Sequence, residues 1–252
     1  MTTITSLPSP VAEQVPLHLI EQIERPTVLE VLHSSTLLNA LTPAEIDRLA
    51  TISKVVRVKR GDFIWLKGSD VDYLGIAATG FVKMVRSCAD GSEVTMELFG
   101  PGQMFGLCGA LCGIGCPLTA VAVTDLWYLR VPKRELLDIY AANNLFKDRM
   151  VRRLAVRLQK AHNMISHLSG GRVEERIAAV LFMLTESYGM QRRTGVLLRV
   201  PLTRQEISEM AGTTVESTIR AMSRWQKEGL LATNHHYITI LNTEALSRLA
   251  DR

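Results

Sequence analysis

Apolar residues change their spacing twice along this chain, near Lys54 and again near Pro132, and those changes limit what it can fold into. Between Lys54 and Pro132 they come in short runs: Val55-Val56-Arg57-Val58, Phe63-Ile64-Trp65-Leu66, Phe81-Val82-Lys83-Met84-Val85 and Val94-Thr95-Met96-Glu97-Leu98. Arg60-Gly61-Asp62, Lys67-Gly68-Ser69, Ala89-Asp90-Gly91-Ser92 and Gly100-Pro101-Gly102 break these runs. Short strands repeated about every 8–12 residues with turn residues between them predict a sandwich or roll, and Asp90-Gly91 predicts a hairpin turn. Beyond Pro132 apolar residues recur at every third or fourth position, the period of a helix. The expected fold class is α+β, an all-β N-terminal roll followed by a largely helical C-terminal part.

The chain has 252 residues, 47% of them hydrophobic, enough for two domains of roughly 100–150 residues with real cores. No apolar run reaches the roughly 18 residues of a transmembrane helix, so no membrane partner is expected. The N-terminal stretch lacks a basic segment followed by an apolar one, which argues against a secretory signal and for a soluble cytoplasmic protein. Charge is uneven. Residues 1–145 hold 12 Lys+Arg against 15 Asp+Glu, whereas residues 146–252 hold 17 against 10. A basic C-terminal part suggests an anionic partner for that half, nucleic acid first, with an ordinary solvated surface as the rival reading.

Four segments follow from these patterns. Residues 1–30, with Pro8, Pro10 and Pro16, read as a mobile leader carrying a short helix near Leu17–Ile23. Residues 31–142 form the roll domain, whose strands follow helical spacing from Val28 to Ile52 in which Thr42-Pro43-Ala44-Glu45 makes a good helix start. Residues 143–169 form one long helix whose seam is Met150, Leu154, Leu158, Ala161, Ile165 and Leu168, flanked by Arg149, Arg152, Arg153, Arg157 and Lys160. A seam of three heptads more often faces its own core than a second helix. Here it lies between two domains, where a partner subunit is a natural cover. Ser169-Gly170-Gly171 ends it and reads as a hinge before residues 170–252.

In that last segment Thr203-Arg204-Gln205-Glu206 reads as a capping box that starts a short helix ending at Ala211-Gly212. Thr213-Thr214-Val215-Glu216 reads as a second box, launching a helix that ends at Glu228-Gly229. Two short helices around a Gly-containing turn form a helix-turn-helix. Thr214, Val215, Glu216, Ser217 and Arg220 fall near the N-terminal end of the second helix, where base edges are read. An Arg can bond guanine O6 and N7 together, and a carboxylate can accept from cytosine N4. Thr203, Arg204 and Gln205 suit phosphate positioning. His235-His236-Tyr237-Ile238-Thr239-Ile240-Leu241 reads as a strand of a wing, with a phosphate contact open to His235 and His236. The structural alternative is a helical hairpin with solvated charges.

From about residue 30 to 250 the chain resembles the CRP/FNR regulators. The likeness rests on VEERIAAVLFML (173–184), LTRQEISEMAG (202–212), TVESTIR (214–220), RWQKEGLL (224–231), YITILNTEAL (237–246), the roll segment 57–86 and GPGQMFG (100–106). It implies an N-terminal double-stranded β-helix (jelly roll) of the cyclic-nucleotide-binding type, a dimerisation helix and a C-terminal winged helix-turn-helix. It further implies a homodimer on a palindromic double-stranded DNA operator, RNA polymerase as a further partner, and a signal in the roll that reorients the DNA-binding domains. By position, Glu216 and Arg220 would read the G/C-containing core of each half-site. Val215 stands where the cyclic-AMP branch has Arg, and Ile219 where the FNR branch has Ser, so an operator related to but not identical with TTGAT is expected. Leu107 occupies the Glu slot of the phosphate-binding cassette and Cys116-Pro117 lies near its Arg-Ser slot, which argues against cyclic AMP.

All four cysteines, Cys88, Cys108, Cys112 and Cys116, lie in the roll, three of them at C-x3-C-x3-C in the Gly-rich segment LCGALCGIGC. Three readings stand: an iron–sulfur cluster or soft metal held on a flexible loop, with Cys88 as a fourth ligand; a thiol–disulfide switch; and inert buried cysteines. A haem or organic effector is a further alternative, with His18, His33 and His162 as candidate ligands. The chain shows no P-loop, nucleophile elbow or His-rich zinc motif, so an enzyme is not expected. A regulatory module acting through protein contacts is the rival function.

Overall fold

The computed structural model describes residues 24–170 and 172–250. Most of the expected leader, including the helix at Leu17–Ile23, lies outside the described residues, as do Gly171 and the side chain of Leu168. Two N-terminal helices come first, α1 (Val28–Ser34) and α2 (Pro43–Ile52), each opened by a Thr/Glu capping box, Thr27 with Glu30 and Thr42 with Glu45.

The roll is built from β1 (Lys54–Val58), β2 (Phe63–Trp65), β3 (Tyr73–Ala77), β4 (Val82–Ser87), β5 (Glu93–Phe99), β6 (Met104–Phe105), β7 (Thr119–Ala122) and β8 (Leu126–Pro132). They form two antiparallel sheets, in the orders β1-β8-β3-β6 and β2-β7-β4-β5. Trp65, Phe99, Phe105 and Tyr128 fill the space between the sheets, with Trp65–Phe105 and Phe105–Tyr128 ring centroids 5.3 and 5.8 Å apart. Such pairs add about 0.5–1.5 kcal/mol each beyond the area they bury. Gly75 admits this packing, because a Cβ there would lie 2.0 Å from the Phe105 ring. The guanidinium of Arg130 lies 4.5 Å from the Tyr73 ring centroid and donates to the Tyr128 hydroxyl at 2.8 Å.

A short helix, α3 (Leu107–Cys112), interrupts the strands where a Gly-rich loop was expected. Gly106 and Gly113, at φ 87° and 65°, bracket it in left-handed backbone, so the glycines serve at its ends and leave helical residues between them. After β8 come α4 (Lys133–Ala142) and the long α5 (Asn144–Gly170), 27 residues and about 40 Å in length. α1, α2, α4 and the start of α5 cover the outer face of the first sheet through Leu32, Leu49, Leu136, Ile139 and Phe146.

The C-terminal domain comprises α6 (Val173–Tyr188), β9 (Gly189–Arg192), β10 (Gly195–Leu198), α7 (Arg204–Ala211), α8 (Val215–Lys227), β11 (Leu231–Asn234), β12 (Tyr237–Ile240) and α9 (Thr243–Ala250). Its sheet runs β11-β12-β10-β9. Trp225, Ile177, Leu181, Ile207, Met222 and Ile238 lie in its core, and Phe81 and Val123 of the roll join the same apolar cluster. The Phe81 and Tyr188 rings meet edge to face at 5.4 Å, while the Tyr188 hydroxyl donates to the Leu98 carbonyl at 2.7 Å. Among the described residues no helix is long and apolar enough to cross a membrane.

Candidate nucleic-acid interface and sensor cysteines

The first capping box is formed as expected: Thr203 accepts from the Glu206 amide and the Glu206 carboxylate accepts from the Thr203 amide at 2.7 Å. Gly212 ends α7 in left-handed backbone at φ 56° and makes the sharp turn. The second box differs from expectation. Thr214, not Thr213, caps α8, accepting from the Ser217 amide at 3.2 Å. Glu216 is therefore at the second helical position, has no capping duty, and is exposed.

Along α8, Thr218, Ala221, Met222 and Trp225 turn inward. Glu216, Ile219, Arg220, Ser223 and Lys227 form the outward face, with Ile219 46% exposed. Arg220 sits one turn beyond Glu216 and hydrogen-bonds the Ser217 hydroxyl at 3.3 Å, while Val215 is half-buried at the helix start. Arg224 is engaged by Glu174 of α6, which pushes its pKa up, and is not a free cation on this face.

Beside this face lies the wing. His235 and His236 form its turn rather than part of a strand: Asn234 pairs with Tyr237 across them, and both histidines have positive φ, 46° and 70°. The reason is the two-residue hairpin, whose tight turn requires left-handed backbone at both central positions. The His236 carbonyl accepts from the Leu202 amide at 2.9 Å, and Arg204 donates to the Thr233 hydroxyl at 3.1 Å, so the wing is tied beside the N-terminus of α7. Burial pulls the Arg204 guanidinium below its ordinary pKa. Gln205 is exposed but turned toward the Glu209 carboxylate, 3.0 Å away.

On α5 the expected seam divides. Met150 is buried against the roll and Leu154 packs on the same core, whereas Leu158, Ala161 and Ile165 are exposed. Val151, Leu158 and Ile165, one heptad apart and 57%, 57% and 60% exposed, carry the outward stripe. The outward stripe thus keeps Leu158 and Ile165 of the expected seam but takes Val151 in place of Met150, because the first turns of α5 are used to cover the roll.

Cys108 and Cys112 lie one turn apart on α3, both exposed; burial, then the neighbouring Cys112, pushes the Cys108 thiol up. Cys116 is buried between the sheets, and Cys88 is exposed in the β4–β5 hairpin. Among the described residues no three His, Cys, Asp or Glu side chains gather where they could hold a metal ion, so the arrangement does not assemble the four thiolates of an iron–sulfur cluster. Leu107, at the slot that would hold a ribose-binding Glu, is buried. A cleft between the end of α1, the β5–β6 turn and α5 includes Arg153 and Arg157, but Arg157 is already paired with Glu97. His33 lies in the last turn of α1, and His162 is exposed on α5.

Comparison with known proteins agrees with this architecture. Residues 55–143 match the cyclic nucleotide-binding domain and residues 175–249 the Crp-like helix-turn-helix domain. The chain is 28% identical over 211 residues to the fumarate and nitrate reduction regulatory protein of Escherichia coli, covering 83% of this chain and 84% of that one. It is 25% identical over 221 residues to a CRP-like cAMP-activated global transcriptional regulator of Mycobacterium tuberculosis, covering 88% and 99%. A CRP-family regulator from Thermus thermophilus superposes with a TM-score of 0.64 at 27% identity, covering 78% of this chain and 97% of that one. FixK2 of Bradyrhizobium japonicum shares the fold, with a TM-score of 0.70 at 21% identity over 79% and 97%. With its roll, long helix and winged helix-turn-helix in this order, the chain belongs to the CRP/FNR family of transcription regulators.

Proposed function

We propose that the protein is a homodimeric, sequence-specific DNA-binding transcription regulator that receives a chemical signal in its roll. The outward face of α8 carries this reading: Glu216 and Arg220 stand one turn apart, exposed and held on a helix whose opposite face is fully packed. The two-fold axis would run along the outer stripe of α5 and set the half-sites about one DNA turn apart, as a palindromic operator requires. RNA polymerase is the further partner, touched once the dimer is seated. A protein-docking module would have no need of a basic C-terminal half. Arg220→Ala is expected to cost about 1–3 kcal/mol on a specific duplex and to relax preference at one base pair, with the salt dependence of binding nearly unchanged. Fluorescence anisotropy with an operator and a scrambled duplex measures both; equal affinity of the variant and the parent for the operator removes α8 as the reading helix.

The sensed signal, on this proposal, is thiol-directed and enters at α3. The placement of Cys108 and Cys112 one turn apart and exposed on α3 supports it. A two-electron oxidant such as hydrogen peroxide would take one hydrogen from each thiol, form the S–S bond and leave as two waters. Cβ atoms one helical turn apart are about 5–6 Å from each other, whereas a disulfide needs about 3.8 Å. Oxidation therefore has to distort α3, and the glycines at its two ends are where the chain can give. An iron–sulfur cluster on the same residues would require Cys88 and Cys116 to move onto this pair, or the partner subunit to complete the set. Replacing Cys108 and Cys112 together by Ser is expected to leave the fold intact, both being exposed, and to abolish the response to oxidant. Intact mass, anaerobic absorption and iron and sulfide assays separate the two chemistries. A double variant whose DNA binding still answers to oxidant or iron would eliminate α3 as the sensor.

A further inference from the structure

Among the described residues, the buried side chains of Glu206, Ser208 and Thr218 serve local turns or caps, but three others meet across the two domains. Lys83 of β4, Thr95 of β5 and Glu209 of α7 are each 8% exposed. The Lys83 ammonium lies 2.7 Å from the Glu209 Oε2, and the Thr95 hydroxyl donates to the same oxygen at 3.2 Å. The other oxygen of Glu209, Oε1, accepts from the Gln205 amide at 3.0 Å. One carboxylate therefore binds the roll with one oxygen and, with the other, holds back a side chain placed for a DNA phosphate. Arg60 of the roll supports the contact at its rim, 3.6 Å from Glu206.

We propose that Lys83, Thr95 and Glu209 form a latch that docks α7 on the roll in a state that binds DNA weakly, and that the signal acts by opening it. A buried ion pair adds little net stability compared with apolar packing, yet losing one partner strands a charge, so such a pair defines a pose rather than strengthening a fold. The latch holds α7 against β5, an edge strand of its sheet, which gives that edge a cover it has only while the domains are docked. β5 also carries Glu97, paired with Arg157 of the long helix, and Leu98, whose carbonyl receives the Tyr188 hydroxyl. Opening at Thr95 is therefore linked through one strand to the dimer helix and to the end of α6.

The proposal rests on the DNA-binding reading, and hydrogen exchange on the full-length protein tests it apart from that reading because it reports docking without DNA. Lys83→Met and, as a milder variant without a charge change, Thr95→Val are expected to raise exchange in β5 and α7 while α8 stays protected. Both are expected to bind an operator duplex more tightly without any signal, by about tenfold for Lys83→Met, within the 5–150-fold range usual for coupled sites. Combining Lys83→Glu with Glu209→Lys reverses the pair and is expected to restore protection. Unchanged exchange in both single variants overturns the latch, as does raised exchange with operator affinity equal to or below that of the parent. Duplex binding absent from the parent and from both opened variants, with exchange raised as expected, overturns the DNA-binding reading instead.

Discussion

Leu158→Glu is expected to convert the dimer to a monomer and to lower operator affinity by about 10²–10⁴-fold, the range that two linked binding modules gain over one. Leu158 is 57% exposed in the single chain and lies at the centre of the stripe through Val151 and Ile165. A carboxylate there would be solvated in the monomer and buried without a partner in the dimer, so its cost falls on association and not on folding. Light scattering reads the mass, and thermal melting confirms that the monomer keeps its fold. A Leu158→Glu protein that stays dimeric at micromolar concentration would refute the long-helix interface. Met150→Glu provides the contrast: it is expected to destabilise the roll itself, because Met150 is 1% exposed within its own chain.

Trp225→Ala is expected to destabilise the C-terminal domain by about 3–5 kcal/mol, the usual cost of removing a large aromatic from a packed core. Trp225 is fully buried where α8 packs into the domain core, and total stabilities of such domains are only about 5–15 kcal/mol. Its indole Nε1 has no hydrogen-bond partner among the described residues, so Trp225→Phe removes an unsatisfied donor along with some volume and is expected to cost much less. Urea unfolding followed by circular dichroism distinguishes the two substitutions. Equal midpoints for the alanine variant and the parent would mean that α8 is not anchored by this residue.

The reading module was legible because its signals are local. Thr203 and Glu206 lie three residues apart, Gly212 follows directly, and the inward positions of α8 keep strict helical spacing. The choice of Thr214 over Thr213 as the cap was not legible, since two adjacent threonines offer the same hydroxyl. The strand Tyr73–Ala77 escaped notice because four of its five residues are buried, which erases alternation. α3 was masked by its glycines, which suggest a loop, whereas the backbone places Gly106 and Gly113 at the helix ends and Gly109 within it. The interdomain contact was the least legible of all. Lys83 sits among apolar residues as a solvent-facing position would, and its partner Glu209 lies 126 residues away. Pattern within a window carries no information about a pairing at that separation.

The apolar cluster shared by Phe81, Val123 and the helices of the C-terminal domain gives the chain a folding unit larger than either of its sequence domains. Cutting the polypeptide at the start of α6 would leave Tyr188 without its edge-to-face neighbour and Phe81 facing water on the roll. While the halves are docked, heat must disrupt this common core, and the energy of melting is absorbed as one cooperative event. On the proposed opening each half would stand on its own smaller core, and the melting transition is expected to resolve into two. The docked and opened states of the proposed latch would thus differ in heat capacity as well as in affinity for DNA.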